Sequence, residues 1–211
     1  MHHFFASTRL HGNVVFNFTG RPIDDLEAFA LGYREAGRNL ADQMAAARGY
    51  ADYDGYPILF LYRHALELYL KAIVYRGARL VGLISPQSVN TEKLFHRHSL
   101  APLLPSIQAI FKQMGWDFEG SGLASYDDFA GFIRSLDEID PGSYAFRYPI
   151  DRSGHPHLPH HFVLNVVEFA GRMDTLLQFL EGAAIGIGEE WQAELEAQHE
   201  LQRWVEEWQG E

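Results

Sequence analysis

With 211 residues, 47% hydrophobic and 14% aromatic, the chain has enough apolar material for one sizeable core and lacks the composition of a disordered protein. It contains no cysteine, which excludes disulfides and thiolate zinc sites and suits a reducing compartment. A formal charge of −11 argues against a broad DNA-binding or RNA-coating surface while leaving room for a local basic pocket.

No apolar run reaches the roughly 18 residues of a membrane span, and residues 1–18 lack the continuous apolar core of a signal peptide. The expectation is a soluble, cytoplasmic protein with no membrane partner.

In chain order, residues 1–21 form an N-terminal extension in which the β-branched and aromatic residues 13–18 suit a short strand or an extended arm. A helix is expected from Pro22 to about Arg48. Ile23, Leu26, Ala30, Tyr33, Leu40 and Met44 recur at helical steps, and Gly32 and Gly37 mark points where a neighbouring helix comes close. A turn over residues 49–57 leads to a second helix, expected to end near Leu80, and residues 81–97 read as a connector.

Ser99 suits a cap for a helix starting near Leu100, with Pro105 forcing a bend or a later start. The serine-to-acid spacing of Ser125 and Asp128 predicts a capping box and a helix that stops at Asp140-Pro141-Gly142. Residues 140–161, with four prolines, are expected to be an ordered loop. Residues 162–180 form a further apolar helix, and the run GAAIGIG at 182–188 reads as a flexible joint. Beyond it, residues 189–209 form an acidic helix carrying Trp191, Trp204 and Trp208, which either docks on the core or pairs with a partner protein or a second copy. These boundaries give an all-α helical bundle over residues 22–182, followed by the joint and C-terminal helix at 183–211.

The stretch FLYRHALELYLKAI at 60–73 is apolar except for Arg63, His64, Glu67 and Lys71. At about 100° per residue these four fall in one narrow stripe. Such a stripe either reaches water or meets partners inside the fold. Arg147, set among aromatic residues in SYAFRYP, needs an anion. That anion is either Glu67, joining Arg63 and Lys71 around one carboxylate, or a phosphate matched to the guanidinium fork. The histidines at 155, 157, 160 and 161, with Asp151 nearby, raise a metal site as a third reading, but their spacing matches no ordinary one. Phosphate-loop, dinucleotide and serine-hydrolase motifs are absent, so no cofactor is expected.

Taken together, RHALELYLK at 63–71, His-Ser-Leu at 98–100 and SYAFRYPIDRSG at 143–154 resemble the motifs of bacterial HEPN-like proteins. The resemblance spans roughly residues 55–180. It implies an α-helical bundle and either metal-independent RNA cleavage, nucleotide binding or a non-catalytic role, often as a dimer in toxin–antitoxin or phage-defence systems. Matching the motifs places His98 and Arg147 in proton transfer and phosphate binding, with Arg63, His64, Glu67, Lys71, Tyr148 and Asp151 around them. The family's arginine-to-histidine spacing at a helix start is met only by Arg152 and His157, in a loop-like context. The alternative function is a helical interaction module of a multi-protein defence assembly.

Overall fold

A computed structural model describes residues 11–16, 19–20, 25–80, 82 and 91–209. Among these residues the fold is all-α, with no strand and one isolated bridge between Ile150 and Pro156. The helices are α1 (Leu26–Ala46), α2 (Gly55–Leu80), α3 (Thr91–His96), α4 (Leu104–Met114), α5 (Tyr126–Ile139) and α6 (Val166–Gln209). No helix among the described residues is long and apolar enough to cross a membrane. Much of the expected N-terminal extension, the residues at 22–24 expected to open the first helix, and residues 83–90 of the expected connector lie outside the described residues.

Helix α2 is the central element. Ile58, Tyr62, Ala65, Leu66, Tyr69, Leu70 and Ile73 are almost wholly buried, so the helix meets neighbours on most of its circumference. Helices α1 and α6 pack along it on one side and α4 on another. Gly37 and Gly77 are the close-approach points: a Cβ at Gly37 would sit 3.2 Å from the Tyr62 ring, and one at Gly77 2.8 Å from Ile110. Gly32, expected to act like Gly37, faces open space instead. Arginines on α1 fasten that helix to α6: Arg34 reaches Asp174 at 3.1 Å and Glu181 at 2.8 Å, and Arg38 reaches Asp174 at 2.6 Å.

Several boundaries depart from the sequence reading for local reasons. Helix α2 starts at Gly55, before Pro57, because proline is tolerated in a first turn. A short helix, α3, interrupts the expected connector. Pro105 delays α4 to Leu104, with a 3-10 turn over Ala101–Leu103 before it. Ser125 caps α5 by accepting the Asp128 N–H at 3.2 Å, as the spacing predicts. The last helix begins at Val166 rather than Phe162, since Asn165 caps it by accepting the Glu168 N–H at 3.0 Å. Residues 13–16 form no strand, and Val14, Val15 and Phe16 are exposed.

The largest correction concerns the expected joint. Helix α6 runs without a break through residues 182–188, so the boundary at 183 falls inside a 44-residue helix. Ala183, Ala184 and Ile187 are buried there, and a Cβ at Gly186 would meet the Trp116 ring at 3.1 Å. At Gly186 the missing side chain makes room for a tryptophan, so this glycine serves packing rather than flexibility.

Gly182 is helical with open space around its Cβ position. Gly182→Ala is therefore expected to stabilise the protein by about 0.5–1 kcal/mol, as in any helix interior. Gly77→Ala is expected to cost about 1–3 kcal/mol by overpacking against the buried Ile110. Urea denaturation of both variants checks the pair; a loss of stability in Gly182→Ala would overturn the continuous helix.

Candidate functional site

The charged stripe of α2 does not reach water. Arg63, Glu67 and Lys71 are 0%, 1% and 3% exposed, and only His64 is half-buried. Burying a guanidinium is tolerable only when its charge is compensated. Here the compensation comes from Glu67 one turn on and from two other segments, at His98 and at the end of α5, while Nε makes no hydrogen bond. Arg63 Nη1 donates to Glu67 Oε2 at 3.1 Å, and Nη2 donates to the His98 carbonyl. The same Nη2 lies 3.7 Å from Asp137 Oδ1, while Nε lies 4.0 Å from Asp140 Oδ2.

The two aspartates are the partners the sequence reading missed, and each organises a chain segment. Asp137 accepts from the Ser99 hydroxyl at 2.6 Å and from the Leu100 and Ala101 N–H groups, so it caps the turn leading into α4 from outside. Ser99 thus donates to the cap instead of being it. Asp140 accepts the N–H groups of Tyr144 at 2.6 Å and Ala145 at 2.9 Å, which fixes the start of the proline-rich loop. Helix α5 carries Asp137 beside buried Leu136 and Ile133, and a buried arginine elsewhere in the chain was the available signal that these acids turn inward.

Glu67 is the second hub. Its Oε1 accepts from Lys71 Nζ at 2.6 Å and contacts His98 Nδ1 at 3.0 Å. Burial works to raise the Glu67 pKa, but the Lys71 ammonium, Arg63 and the His98 hydrogen bond outweigh it and hold the carboxyl below its usual range. An ionised carboxylate only accepts, so Nδ1 of His98 is the donor to it, and Nε2 is the ring nitrogen left without this bond on a side chain 39% exposed. His98 is thus oriented by a buried acid and open to solvent.

Arg147 does not join this carboxylate. It is exposed, and its Nε donates to the Ser143 carbonyl at 2.5 Å. The guanidinium lies 5.0 Å from the Tyr144 ring centre, 5.2 Å from Phe60 and 5.8 Å from Tyr148. Gly142 leaves room for this arrangement, since a Cβ there would sit 2.5 Å from the Tyr144 ring. The aromatic strip continues along α2: His64 stacks on Phe60 at 5.6 Å and meets Tyr33 edge-on at 4.5 Å. Burial is the main cause of a lowered His64 pKa, with Arg63, Arg147 and Lys71 adding to it against Glu67. Tyr144 also neighbours His98, ring to ring at 6.5 Å. His98 and Arg147 therefore share Tyr144 as a neighbour.

The remaining candidates sit on the loop. Asp151 accepts the N–H groups of His155 at 2.9 Å and Ser153 at 2.7 Å, and these bonds hold its carboxyl below the usual range. Arg152 is exposed in that turn, and His157 is half-buried with its N–H on the Pro149 carbonyl. Both lie outside the helices. Among the described residues no three His, Asp or Glu side chains are grouped to hold a metal ion. Comparisons with protein-family models, curated proteins and solved structures find no match to this chain.

Arg63→Met is expected to destabilise the fold by about 3–5 kcal/mol, because it leaves Glu67, Asp137 and Asp140 buried with one cation fewer. Glu67 has a depressed folded pKa, so its contribution is present above the ordinary value of 4.5 and is lost as pH falls through the folded value. Denaturant titrations of the native chain and Glu67→Gln should accordingly differ at pH 7 and converge toward pH 3. A gap that is constant with pH would show that the charge of Glu67 is not what matters.

Proposed function

We propose that the protein is a HEPN-like protein that acts on RNA or binds a nucleotide at the surface between α2 and the 143–148 loop, in a bacterial defence or toxin–antitoxin setting. The observation that carries this reading is the pairing of an exposed Arg147, framed by Phe60, Tyr144 and Tyr148, with a His98 oriented by Glu67 beside the same Tyr144. Exposed tyrosines offer stacking faces for unpaired bases, and a guanidinium offers a fork for phosphate oxygens.

On RNA, His98 Nε2 takes the proton of a ribose 2′-hydroxyl as the 2′-oxygen attacks the neighbouring phosphorus. Arg147 neutralises the charge that grows on the phosphoryl oxygens. The 5′-oxygen leaves with a proton from water, giving a 2′,3′-cyclic phosphate and a 5′-hydroxyl. Lys71, Arg63 and Glu67 stay buried and act through His98 rather than on the substrate.

Purified protein is expected to cleave single-stranded RNA without added metal and in the presence of a chelator. His98→Ala should lower the rate by about 10²–10⁴-fold. Tyr148→Ala should weaken binding by about 1–3 kcal/mol for a stacked base while leaving the fold intact. Loss of activity in His157→Ala with retention in His98→Ala would move the catalytic role to Arg152 and His157. Intact RNA across a broad panel, with no saturable binding of RNA or nucleotides, would sink the reading.

A further inference from the structure

Helix α6 is built on a seven-residue repeat that outlasts the bundle it belongs to. Met173, Leu176, Leu177, Leu180, Ala183, Ala184 and Ile187 are all buried, and they occupy the first, fourth and fifth positions of successive heptads. Counting on in the same register, Glu190, Glu194 and Gln198 interrupt the apolar seam, and Leu201, Trp204, Val205 and Trp208 then take those positions again. These four are 62%, 60%, 40% and 75% exposed. The apolar seam of α6 thus reappears at residues that are left exposed.

The tail needs a partner on energetic grounds as well. Beyond Ile187 some twenty residues continue as a helix with little of their surface covered, whereas most helical stability in proteins comes from packing of an amphipathic face. Side-chain pairs such as Gln198 with Glu194 at 2.9 Å add only tenths of a kcal/mol each. The stacked Trp204 and Trp208 rings, 6.3 Å apart, keep a broad apolar face in water.

Charge decides what covers it. Residues 189–209 hold seven glutamates against a single Arg203. Glu200 and Glu207 immediately precede the seam residues Leu201 and Trp208 and flank the strip, and Glu190 and Glu194 occupy seam positions themselves. Two copies of this tail laid antiparallel would face the Glu200 and Glu207 flanks with acid, and laid parallel would set Glu194 against Glu194 in the seam, whereas cations at the facing positions would pair with these acids in either orientation. We propose that the last turns of α6 are a docking strip for a basic amphipathic helix of another protein, which continues the α6 seam as a two-stranded coiled coil with a lysine or arginine opposite Glu194. The proposal is independent of the RNA reading, since it concerns a different surface.

The test uses the full chain and two labelled synthetic helices with leucine at the seam positions, one flanked by lysines and the other by glutamates. Sedimentation at tens of micromolar should show a monomer. The lysine helix should bind one to one, with a blue shift of tryptophan emission, at least tenfold more tightly than the glutamate helix. Trp204→Ser with Trp208→Ser should lower its affinity at least tenfold while the circular dichroism of the bundle is kept. Glu200→Lys with Glu207→Lys should reverse the preference between the two helices, an outcome that loss of folding cannot mimic. A concentration-dependent dimer whose mass falls when the tryptophans are replaced would overturn the proposal in favour of a second copy. Equal binding of the two helices, or no binding of either, would overturn it outright.

Discussion

Everything around the candidate site depends on one guanidinium that has no access to water. Arg63 sits at 0% exposure on the central helix, and a cation there must be matched by groups brought from elsewhere in the chain. The match is made by Glu67 one turn on, by the His98 carbonyl, and by Asp137 and Asp140 at the end of α5. A buried ion network of this kind is weak evidence for extra stability, since apolar residues of the same volume often do as well. What it supplies is position: a backbone carbonyl and three carboxylates can all lie around one planar fork only when α2, the His98 segment and the end of α5 meet in a single arrangement.

That positioning gives the buried cluster and the exposed residues different tasks in one device. Arg63 and Glu67 hold the backbone and ring of His98, and Asp140 holds the N–H groups of Tyr144 and Ala145. The groups with free faces, His98, Tyr144, Arg147 and Tyr148, are thus mounted on segments that the cluster has fixed. A polar centre that fastens a loop to a helix and a surface site that uses the fastened loop are not competing descriptions. The first is the physical means of the second, since a site is useful only when its supporting groups are held within a fraction of an ångström.

The helices were legible because their apolar periodicity is strong, and the all-α architecture follows from them. The stripe of α2 was legible as an anomaly, but only long-range packing could say which way it pointed. Asp137 and Asp140 were not legible as its partners, because a helix-ending acid before Pro-Gly reads equally well as a turn residue in water. Of the two anions offered for Arg147, Glu67 is not its partner: aromatic neighbours in sequence implied burial, whereas Arg147 is exposed between the exposed rings of Tyr144 and Tyr148. GAAIGIG was misread for a related reason. Glycine lowers helix propensity in isolation, and packing around Trp116 and Ile187 overrides that local preference.

The continuity of α6 also changes what the net charge means. Residues 189–211 carry eight glutamates and one arginine, so −7 of the chain's −11 belongs to the tail and only −4 to the remaining 188 residues. An average over the whole sequence therefore overstates the repulsion a polyanion meets at the 143–148 loop. Screening acts over roughly 8 Å at physiological salt, so the groups that decide are those within about that range of Arg147. Phe60, Tyr144 and Tyr148 are among them, and the Glu67 carboxylate beneath His98 is already committed to Arg63, Lys71 and His98. Segregating the acid onto one extended helix leaves the body compatible with an anionic ligand and makes the tail itself a surface for a cationic one.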